Sequence, residues 1–314
     1  MGKKNNNTVV SWLKKGFFLL LVTFFSSAQA AIYTLSSEND VVFGEPQMAS
    51  PHRGDTISTL ARRYDMGFYE LLDANPGLDP KKLRGRQLVI PSRFILPNGT
   101  PREGIVINLA ELRLYYFIPN TQQVFTAPVG IGRLTWDTPL GVLSIIEKKE
   151  NPVWHPTPLV RADVLRKRGL VLPLSVPAGP ENPLGNYMLR LSEPTYLIHG
   201  TNDPIGVGRR VTAGCMRLYP EDIKTLFELV EVGTQVTIVN QPYKVGVLNH
   251  LLYFEAHQPL LEMRMEGREA MKQRWQEVIQ NAGEASNETM NWDRVRQVAI
   301  RHEGIPYAVA KSES

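Results

Sequence analysis

The sequence predicts a mainly β protein, with a small mixed module before the β body and a helical segment after it. Between residues 104 and 239, short runs of β-branched and aromatic residues alternate with turns rich in proline, glycine and asparagine. Residues 52–91 contain two short helical patterns followed by a strand pattern, and residues 259–304 have helical periodicity. These three observations define the expected fold class.

The body is expected to contain six strands and one clear helix. The strand patterns cover residues 104–109, 112–117, 141–146, 187–192, 196–200 and 235–239. The helix is predicted in "YPEDIKTLFELVEVG", where Pro220 and two acidic residues suit a first turn and Gly233 suits a stop.

The first thirty residues have the pattern of a secretory signal peptide. A basic segment with four lysines precedes the apolar run 16–25, and "SSAQAA" ends in an A-x-A cleavage pattern. The apolar run is shorter than the roughly 18 residues of a transmembrane helix. We therefore favour cleavage after Ala30 over an uncleaved membrane anchor.

Removal of residues 1–30 leaves a chain without formal net charge. The sequence has 35 Lys and Arg against 31 Asp and Glu, and four of the lysines precede Ala31. The basic pI of the whole sequence is therefore no indication of a nucleic-acid or anionic-lipid partner, and no nucleic-acid partner is expected.

Residues 51–95 resemble a LysM module, a small βααβ domain that binds glycans containing N-acetylglucosamine. The matching segments are "GDT", "LARRY", "LLDANPG" and "LRGRQLVIP". The resemblance places glycan contacts on two loops, formed by Gly54, Asp55 and Thr56 and by Asn75, Pro76 and Gly77. The alternative is a small helical cap that only packs on its neighbour. Pro51 interrupts the expected first strand.

Cys215 is the only cysteine in the sequence. In an exported protein, a single thiol can be a buried inert side chain, half of an intermolecular disulfide or a reactive group. His199 ends a predicted strand sixteen residues earlier, and the turn-rich "NDPIGVGRR" between them can bring the two together. A cysteine activated by a histidine is typical of acyl hydrolases and transferases.

Three neighbours of Cys215 suit such a site. Gly214 allows close backbone approach, and the amides of Gly214, Cys215 and Met216 can form an oxyanion hole. Arg217 can bind a substrate carboxylate or support the loop, although a surface ion pair is the alternative.

The segments "IHGT" and "GVGRRVTAGCMRL" resemble the active-site motif of L,D-transpeptidases of the YkuD family. The resemblance extends to "INLAELRLYYF", "DTPLG", "NPVW" and "GPENPLGNYMLRLS", and it is strongest to periplasmic Gram-negative members. It implies a β-sandwich catalytic domain in which Cys215 is the nucleophile, His199 the base and Gly200 the carbonyl that orients the imidazole. Arg217 would line the donor site.

The resemblance implies acyl transfer from peptidoglycan tetrapeptide stems, with no cofactor or metal. Cys215 would form a thioester with release of D-Ala. The acceptor would be a second stem, giving a 3→3 cross-link, or a lysine of an outer-membrane lipoprotein; water would give L,D-carboxypeptidation. A Cys/His endopeptidase or amidase of another fold is a third alternative.

One position departs from the family pattern. The family has S/T-H-G-C before and including the cysteine, whereas this sequence has "TAGC", with Thr212 retained and Ala213 in place of the histidine. A catalytically impaired peptidoglycan-binding protein is therefore an alternative function. The other histidines offer no obvious replacement: His155 could approach the cleft from a loop, although a surface or packing role is more common for such a residue. The remaining histidines lack metal-ligand spacing, so no metal site is predicted.

The expected organisation has five parts. They are a signal peptide (1–30), an N-terminal arm (31–50), the LysM-like module (51–95), the catalytic domain (100–241) and a C-terminal, mostly helical region (242–314). The last part could cover the catalytic domain, form an interface or recognise a partner, and packing is the simplest expectation.

Overall fold

The computed structural model describes residues 31–37, 40–286 and 289–311, so the predicted signal peptide lies outside the described residues. The strands are β1 (Ala31–Thr34), β2 (Val42–Gly44), β3 (Gln47–Ala49), β4 (Leu88–Ile90), β5 (Arg93–Ile95), β6 (Gly104–Asn108), β7 (Arg113–Phe117), β8 (Gln123–Pro128), β9 (Ile131–Gly132), β10 (Gly141–Glu150), β11 (Tyr187–Leu191), β12 (Leu197–His199), β13 (Arg210–Thr212), β14 (Met216–Arg217), β15 (Gln235–Val239), β16 (Tyr243–Leu248), β17 (Leu251–Ala256), β18 (Thr289–Met290) and β19 (Tyr307–Lys311). The helices are α1 (Ile57–Arg63), α2 (Phe68–Asp73), α3 (Pro158–Arg168), α4 (Pro220–Leu229), α5 (Leu261–Arg264), α6 (Arg268–Ser286) and α7 (Trp292–Arg301). The predicted mainly β fold class is confirmed.

A nine-stranded mixed sheet forms the body, in the order β1-β8-β7-β6-β15-β10-β11-β12-β14. The pairs β6–β15 and β12–β14 are parallel, and the other neighbours are antiparallel. All six predicted strands are present, and α4 begins at Pro220 as predicted. The short strands β9, β13 and β14 were not predicted, because two or three residues are too few to show a period.

Both faces of the central strands are buried. Ile105 and Ile107 of β6 pack in the core that α4 covers, whereas Val106 between them packs in the core of the LysM-like module. Successive side chains of a strand point to opposite faces, so one strand contributes to two cores. The module is therefore built onto the back of the catalytic sheet.

The predicted N-terminal arm is instead three strands. β1 pairs with β8 at the edge of the main sheet, and β2 pairs with β5. β3 pairs with β4 and supplies the first strand of the βααβ module, so that strand lies before Pro51. No period is visible in residues 31–50, because each strand has only three or four residues and depends on a distant partner.

The C-terminal region contains a four-stranded sheet, β16-β17-β19-β18, besides its helices. The predicted helix over 259–283 is divided into α5 and α6 by Gly267, which has a φ of +100°. Side chains of α6 and α7 cover the sheet and form a third core with Phe254, Ile279 and Val298. The strands were not predicted because the expectation for this region rested on its helices. None of the helices in the described ranges has the length and apolarity to span a membrane.

A buried ion pair joins the module to the catalytic sheet. Arg113 of β7 is fully buried and donates to Glu70 of α2 at 2.7 and 2.9 Å. The same guanidinium donates to the carbonyl oxygen of Asp65 at 2.9 Å and to the hydroxyl of Thr126 at 3.2 Å. Arg113 thus has hydrogen-bond partners on both sides of the interface, which a buried charge requires.

We predict that Arg113→Met destabilises the protein by about 3–5 kcal/mol, because Glu70 is left buried without its counter-ion. Thermal and urea unfolding of the chain beginning at Ala31 measure the loss. Arg62→Ala is the matched control. It breaks the ion pair between Arg62 of the module and Glu221 of the body, in which the Arg62 side chain is 41% exposed. That change should cost about 1 kcal/mol or less. Equal losses for the two variants would contradict the role given to Arg113.

Candidate active site

The residues around Cys215 lie at the edge of the main sheet. In the parallel pair of β12 and β14, Ile198 lies opposite Met216 and His199 opposite Arg217. Ile198 and Met216 are fully buried in the core. Because side chains alternate along a strand, His199, Cys215 and Arg217 occupy the other face of this pair. The fold thus brings together the cysteine and the histidine that the sequence singled out.

His199 is held as a neutral imidazole. Its Nδ1 lies 2.6 Å from the carbonyl oxygen of Gly200, and a carbonyl only accepts, so Nδ1 carries the hydrogen. Burial, followed by the charge of Arg217, lowers the pKa of His199 to about 3, although the bond to Gly200 acts in the opposite direction. Nε2 is therefore the nitrogen that can accept a proton.

Gly200 is packed too closely to take a side chain without a shift of its neighbours. A Cβ there would lie 2.9 Å from a methyl group of Ile223 and 3.3 Å from the carbonyl oxygen of Leu184. A side chain would displace either the start of α4 or the segment before β11. The contact of His199 with the Gly200 carbonyl thus depends on tight packing against two other elements.

The Cys215 thiol is half-buried and protonated at neutral pH. Its Sγ lies 3.7 Å from the carbonyl oxygen of Thr195. Burial raises the pKa of the thiol above its usual range, while a hydrogen bond with the backbone of Leu197 and the charges of Arg217 and Arg190 act to lower it. The thiol and the imidazole on this face of the β12–β14 pair are therefore both neutral.

The cysteine loop is held by two threonine hydroxyls. Thr212 Oγ1 donates to the carbonyl oxygen of Cys215 at 2.6 Å and accepts from the Gly214 amide at 3.2 Å. Thr138 Oγ1 donates to the carbonyl oxygen of Gly214 at 2.8 Å and accepts from the amide of Gly132 at 3.1 Å. The loop is therefore fixed by these bonds although Ala213 stands where the family has histidine.

Gly214 is required by both its conformation and its neighbours. Its φ is +102°, and a Cβ would lie 2.7 Å from the ring of Tyr196. Its amide bonds to Thr212, so it is not available to an oxyanion hole, and the side chain of Met216 lies in the core. Gly214 can therefore contribute to substrate binding only through the shape of the loop. Met216 can contribute only through its backbone.

Arg217 is a partly buried cation beside the thiol. Its backbone exchanges two 2.8 Å hydrogen bonds with Gly130. Burial lowers the pKa of Arg217, while the charges of Asp203 and Cys215 raise it. Within the described residues its Nε has no hydrogen-bond partner. A buried guanidinium with an unused donor is suited to bind an anionic ligand.

Sequence reasoning missed four residues that shape this site: Thr138, Tyr196, Arg210 and Arg133. Thr138 lies within "DTPLG", which was matched as a family segment but given no role. Arg210 donates to the Gly132 carbonyl oxygen at 3.1 Å and pairs with Glu262 of α5 at 2.6 Å. No local pattern marks these residues, because their partners are distant in the sequence.

A partly exposed apolar segment lies beside the cysteine loop. The amide of Arg133 donates to the Thr212 carbonyl oxygen at 3.1 Å, and its side chain pairs with Asp163 of α3 at 2.6 Å. The segment around α3 exposes five large apolar side chains, those of Leu159, Leu165, Leu170, Val171 and Leu174. An exposed apolar surface beside a cleft is typical of a binding surface.

The predicted glycan-contact residues serve two different purposes. Asp55 pairs with Arg63 at 2.6 Å, and Asn75 bonds to the backbone of Leu71 and Val89 at 2.8 Å, so these side chains build the module. Thr56 caps α1 but remains exposed. The other three positions, Gly54, Pro76 and Gly77, are exposed on loops.

A second cluster of ionisable side chains lies away from Cys215 in the sequence and contains one histidine and two carboxylates. Glu111, Glu255 and His257 are buried with ligand atoms within 4.8 Å of one another. Lys244 Nζ lies 2.8 Å from Glu111 and 3.0 Å from Glu255, so one ammonium already bridges the two carboxylates. The amide of Ile95 donates to Glu255 at 2.8 Å, which connects the module to the C-terminal sheet. This cluster is an internal ion-pair network.

We predict that alkylation of Cys215 by iodoacetamide accelerates steadily from pH 6 to pH 9. The thiol pKa is raised and the His199 pKa is about 3, so the thiolate accumulates only as the pH approaches the thiol pKa. Stopped-time mass spectrometry gives the rate at each pH. A plateau already reached below pH 7 would indicate a thiolate–imidazolium pair and contradict this description.

Thr212→Val should release the cysteine loop, because valine keeps the shape of threonine but removes both hydroxyl bonds. Loss of a buried hydrogen bond costs about 1–3 kcal/mol. We expect at least a tenfold fall in the rate of Cys215 acylation. Thr225→Val is the control, since among residues 31–37, 40–286 and 289–311 its hydroxyl bonds only to the Glu221 carbonyl oxygen within α4. If both variants acylate like the parent chain, Thr212 does not organise the loop.

The chain matches two known domain families. Residues 102–238 match the YkuD family, described as the L,D-transpeptidase catalytic domain, and residues 52–91 match the LysM domain. These matches agree with the body and the βααβ module of the structure.

Three Escherichia coli K12 proteins are similar over most of the chain. A probable L,D-transpeptidase YcfS is 47% identical, with 67% of each chain covered. A probable L,D-transpeptidase YbiS is 43% identical, over 78% of this chain and 82% of the relative. A probable L,D-transpeptidase ErfK/SrfK is 42% identical, over 76% and 77%. The chain therefore belongs to the YkuD family of L,D-transpeptidases and carries an N-terminal LysM domain.

Proposed function

We propose that this chain is a periplasmic cysteine L,D-transpeptidase that acts on peptidoglycan tetrapeptide stems through a thioester. The observation that carries this proposal is the placement of His199 and Cys215 on one face of the parallel pair β12–β14, with Nδ1 of the histidine bound to a carbonyl. That arrangement leaves a neutral imidazole beside a half-buried thiol. It is the arrangement needed by a base that removes a proton during attack.

The first half-reaction transfers the acyl group to the enzyme. Cys215 Sγ attacks the carbonyl carbon of the third stem residue, meso-diaminopimelate, and its proton moves to His199 Nε2. The tetrahedral intermediate collapses when the bond to the terminal D-Ala breaks, and the leaving amine takes the proton from His199. The products are a Cys215 thioester and free D-Ala, and His199 is neutral again.

The second half-reaction transfers the acyl group to an amine. The attacking nitrogen forms the new amide bond, its proton passes to His199 and then to the departing Sγ, and the thiol is restored. A second stem as acceptor gives a 3→3 cross-link, and a lysine of an outer-membrane lipoprotein gives an envelope tether. Water in place of the amine gives L,D-carboxypeptidation.

The charges around the thiol support an anionic donor. Arg217 and Arg190 both act electrostatically on Cys215. Arg190 is paired with Glu147 at 2.8 Å, whereas Arg217 keeps an unused Nε among the described residues. We assign Arg217 to the carboxylate of the terminal D-Ala. The exposed apolar side chains around α3 would then cover the rest of the stem.

The LysM module would bind the glycan strand through the loops 54–56 and 75–77. Its position supports a joint function, because α2 abuts the turn that leads to Cys215. The amides of Phe68 and Tyr69 donate to the carbonyl oxygens of Val207 and Gly208 at 3.5 and 3.3 Å. Tethering to glycan raises the effective concentration of the attached stems.

The location is part of the proposal. The substrate lies outside the inner membrane, and the signal-peptide pattern of residues 1–30 provides export. We propose cleavage after Ala30, which leaves a chain that begins at Ala31.

The test is intact-protein mass spectrometry of the chain from Ala31 with a disaccharide-tetrapeptide. We expect an adduct on Cys215 that corresponds to the donor without D-Ala, and an exchanged product when a D-amino acid or a second stem is added. Cys215→Ala should form no adduct but still sediment with peptidoglycan.

Two histidine variants sharpen this test. His199→Gln should reduce acylation by about 10²-fold or more, because the base is lost. His155→Gln should retain the parent rate, since His155 is exposed in the loop before α3 and is given no contact with the substrate. An unmodified thiol in a chain that still binds peptidoglycan would instead support the catalytically impaired wall-binding protein.

A further inference from the structure

An excess of buried acid lies where the module meets α4. Asp65 of the turn after α1, Glu70 of α2 and Asp222 of α4 are each at least nine-tenths buried. One buried cation, Arg113, faces them and pairs with Glu70. Buried charges are costly unless each is paired, so Asp65 and Asp222 lack a counter-ion of their own.

Two carboxylate oxygens of this cluster have no partner. Among the described residues, Asp65 Oδ1 and Asp222 Oδ2 are buried and accept no hydrogen bond. The two carboxyl groups share a hydrogen bond, which acts to lower the pKa of Asp65 and to raise the pKa of Asp222. One shared proton still leaves a negative charge on the pair, because Arg113 is already paired with Glu70.

The start of β1 reaches this cluster. The backbone nitrogen of Ala31 donates to Asp65 Oδ2 at 3.2 Å. Tyr33, two residues further along β1, interacts electrostatically with Arg113, Asp65 and Glu70. In an uncleaved chain the Ala31 nitrogen is an amide with one hydrogen and no charge.

Cleavage after Ala30 changes the chemistry of this nitrogen. A signal peptidase adds water across the bond between residues 30 and 31, which leaves a carboxylate on Ala30 and an amine on Ala31. The amine is protonated at neutral pH, with a usual pKa of about 7.7–8.0. It then carries a positive charge and three donors at the position of the former amide.

We infer that the α-ammonium of Ala31 is the counter-ion of the buried Asp65–Asp222 pair, so that removal of residues 1–30 completes the interface between the LysM module and α4. The inference uses the cleavage site proposed above and is independent of the transpeptidase activity. Asp222 lies in the first turn of α4, five residues after Arg217. The new ion pair therefore stabilises an element next to the active site.

The inference is tested with chains produced from a fusion whose protease leaves Ala31 as the first residue. A second chain carries one extra glycine before Ala31, which displaces the ammonium by about 3.6 Å. We expect the glycine to lower the Tm by at least about 4 °C. In a background with Asp65→Asn and Asp222→Asn, the same glycine should change the Tm by less than about 1 °C. Equal shifts in the two backgrounds would overturn the inference.

A chemical measurement on the unsubstituted chain covers the case in which the asparagine variant does not fold. Cyanate reacts with the unprotonated form of an α-amine, so an ammonium held in an ion pair reacts more slowly. We expect carbamylation of Ala31 to be at least tenfold slower than carbamylation of the added glycine; equal rates overturn the inference. The mass of the protein exported by cells is the third readout, and a first residue other than Ala31 also overturns it.

Discussion

The structure depends on the buried Arg113–Glu70 pair, because this contact fixes the LysM module to the catalytic sheet. Arg113 comes from a central strand, so its guanidinium cannot move away from the interface without leaving a buried charge behind. Its position requires that α2 and the turn at Asp65 stay in register with β7. The same register brings Tyr219, just before α4, to the carbonyl oxygen of Met66 at 3.0 Å.

The active site is supported from two sides, by the LysM module and by the C-terminal region. On one side, Gly67 and Gly208 are in close backbone contact, since a Cβ on Gly208 would lie 2.3 Å from the Cα of Gly67. On the other side, Arg210 is held by Glu262 of the C-terminal region. Both contacts act on the short stretch that leads into the cysteine loop, so all three parts of the described chain determine where Cys215 lies.

Local patterns predicted six strands of the body and α4, because these features depend on neighbours in the sequence, but the six-residue strands β8, β16 and β17 were not predicted. They did not predict β1, β3 or β14, whose two to four residues are strands only through pairing with distant segments. The hydroxyl of Thr212 bonds to neighbours in the sequence, Gly214 and Cys215, but no sequence pattern indicated that it holds the loop in which Ala213 replaces a histidine. The neutral state of the thiol and imidazole could not be predicted, since it is set by burial, and spacing carries no information on burial.

Through these contacts, the module and the catalytic domain form one rigid unit. Residual dipolar couplings of backbone amides, measured on the deuterated chain from Ala31 in a weakly aligning medium, report the relative orientation of the two parts. We expect one alignment tensor to fit the amides of 47–90 and 104–239 together. Two tensors of different magnitude or orientation would show that the module moves independently, and would contradict the coupling of glycan and stem binding described here.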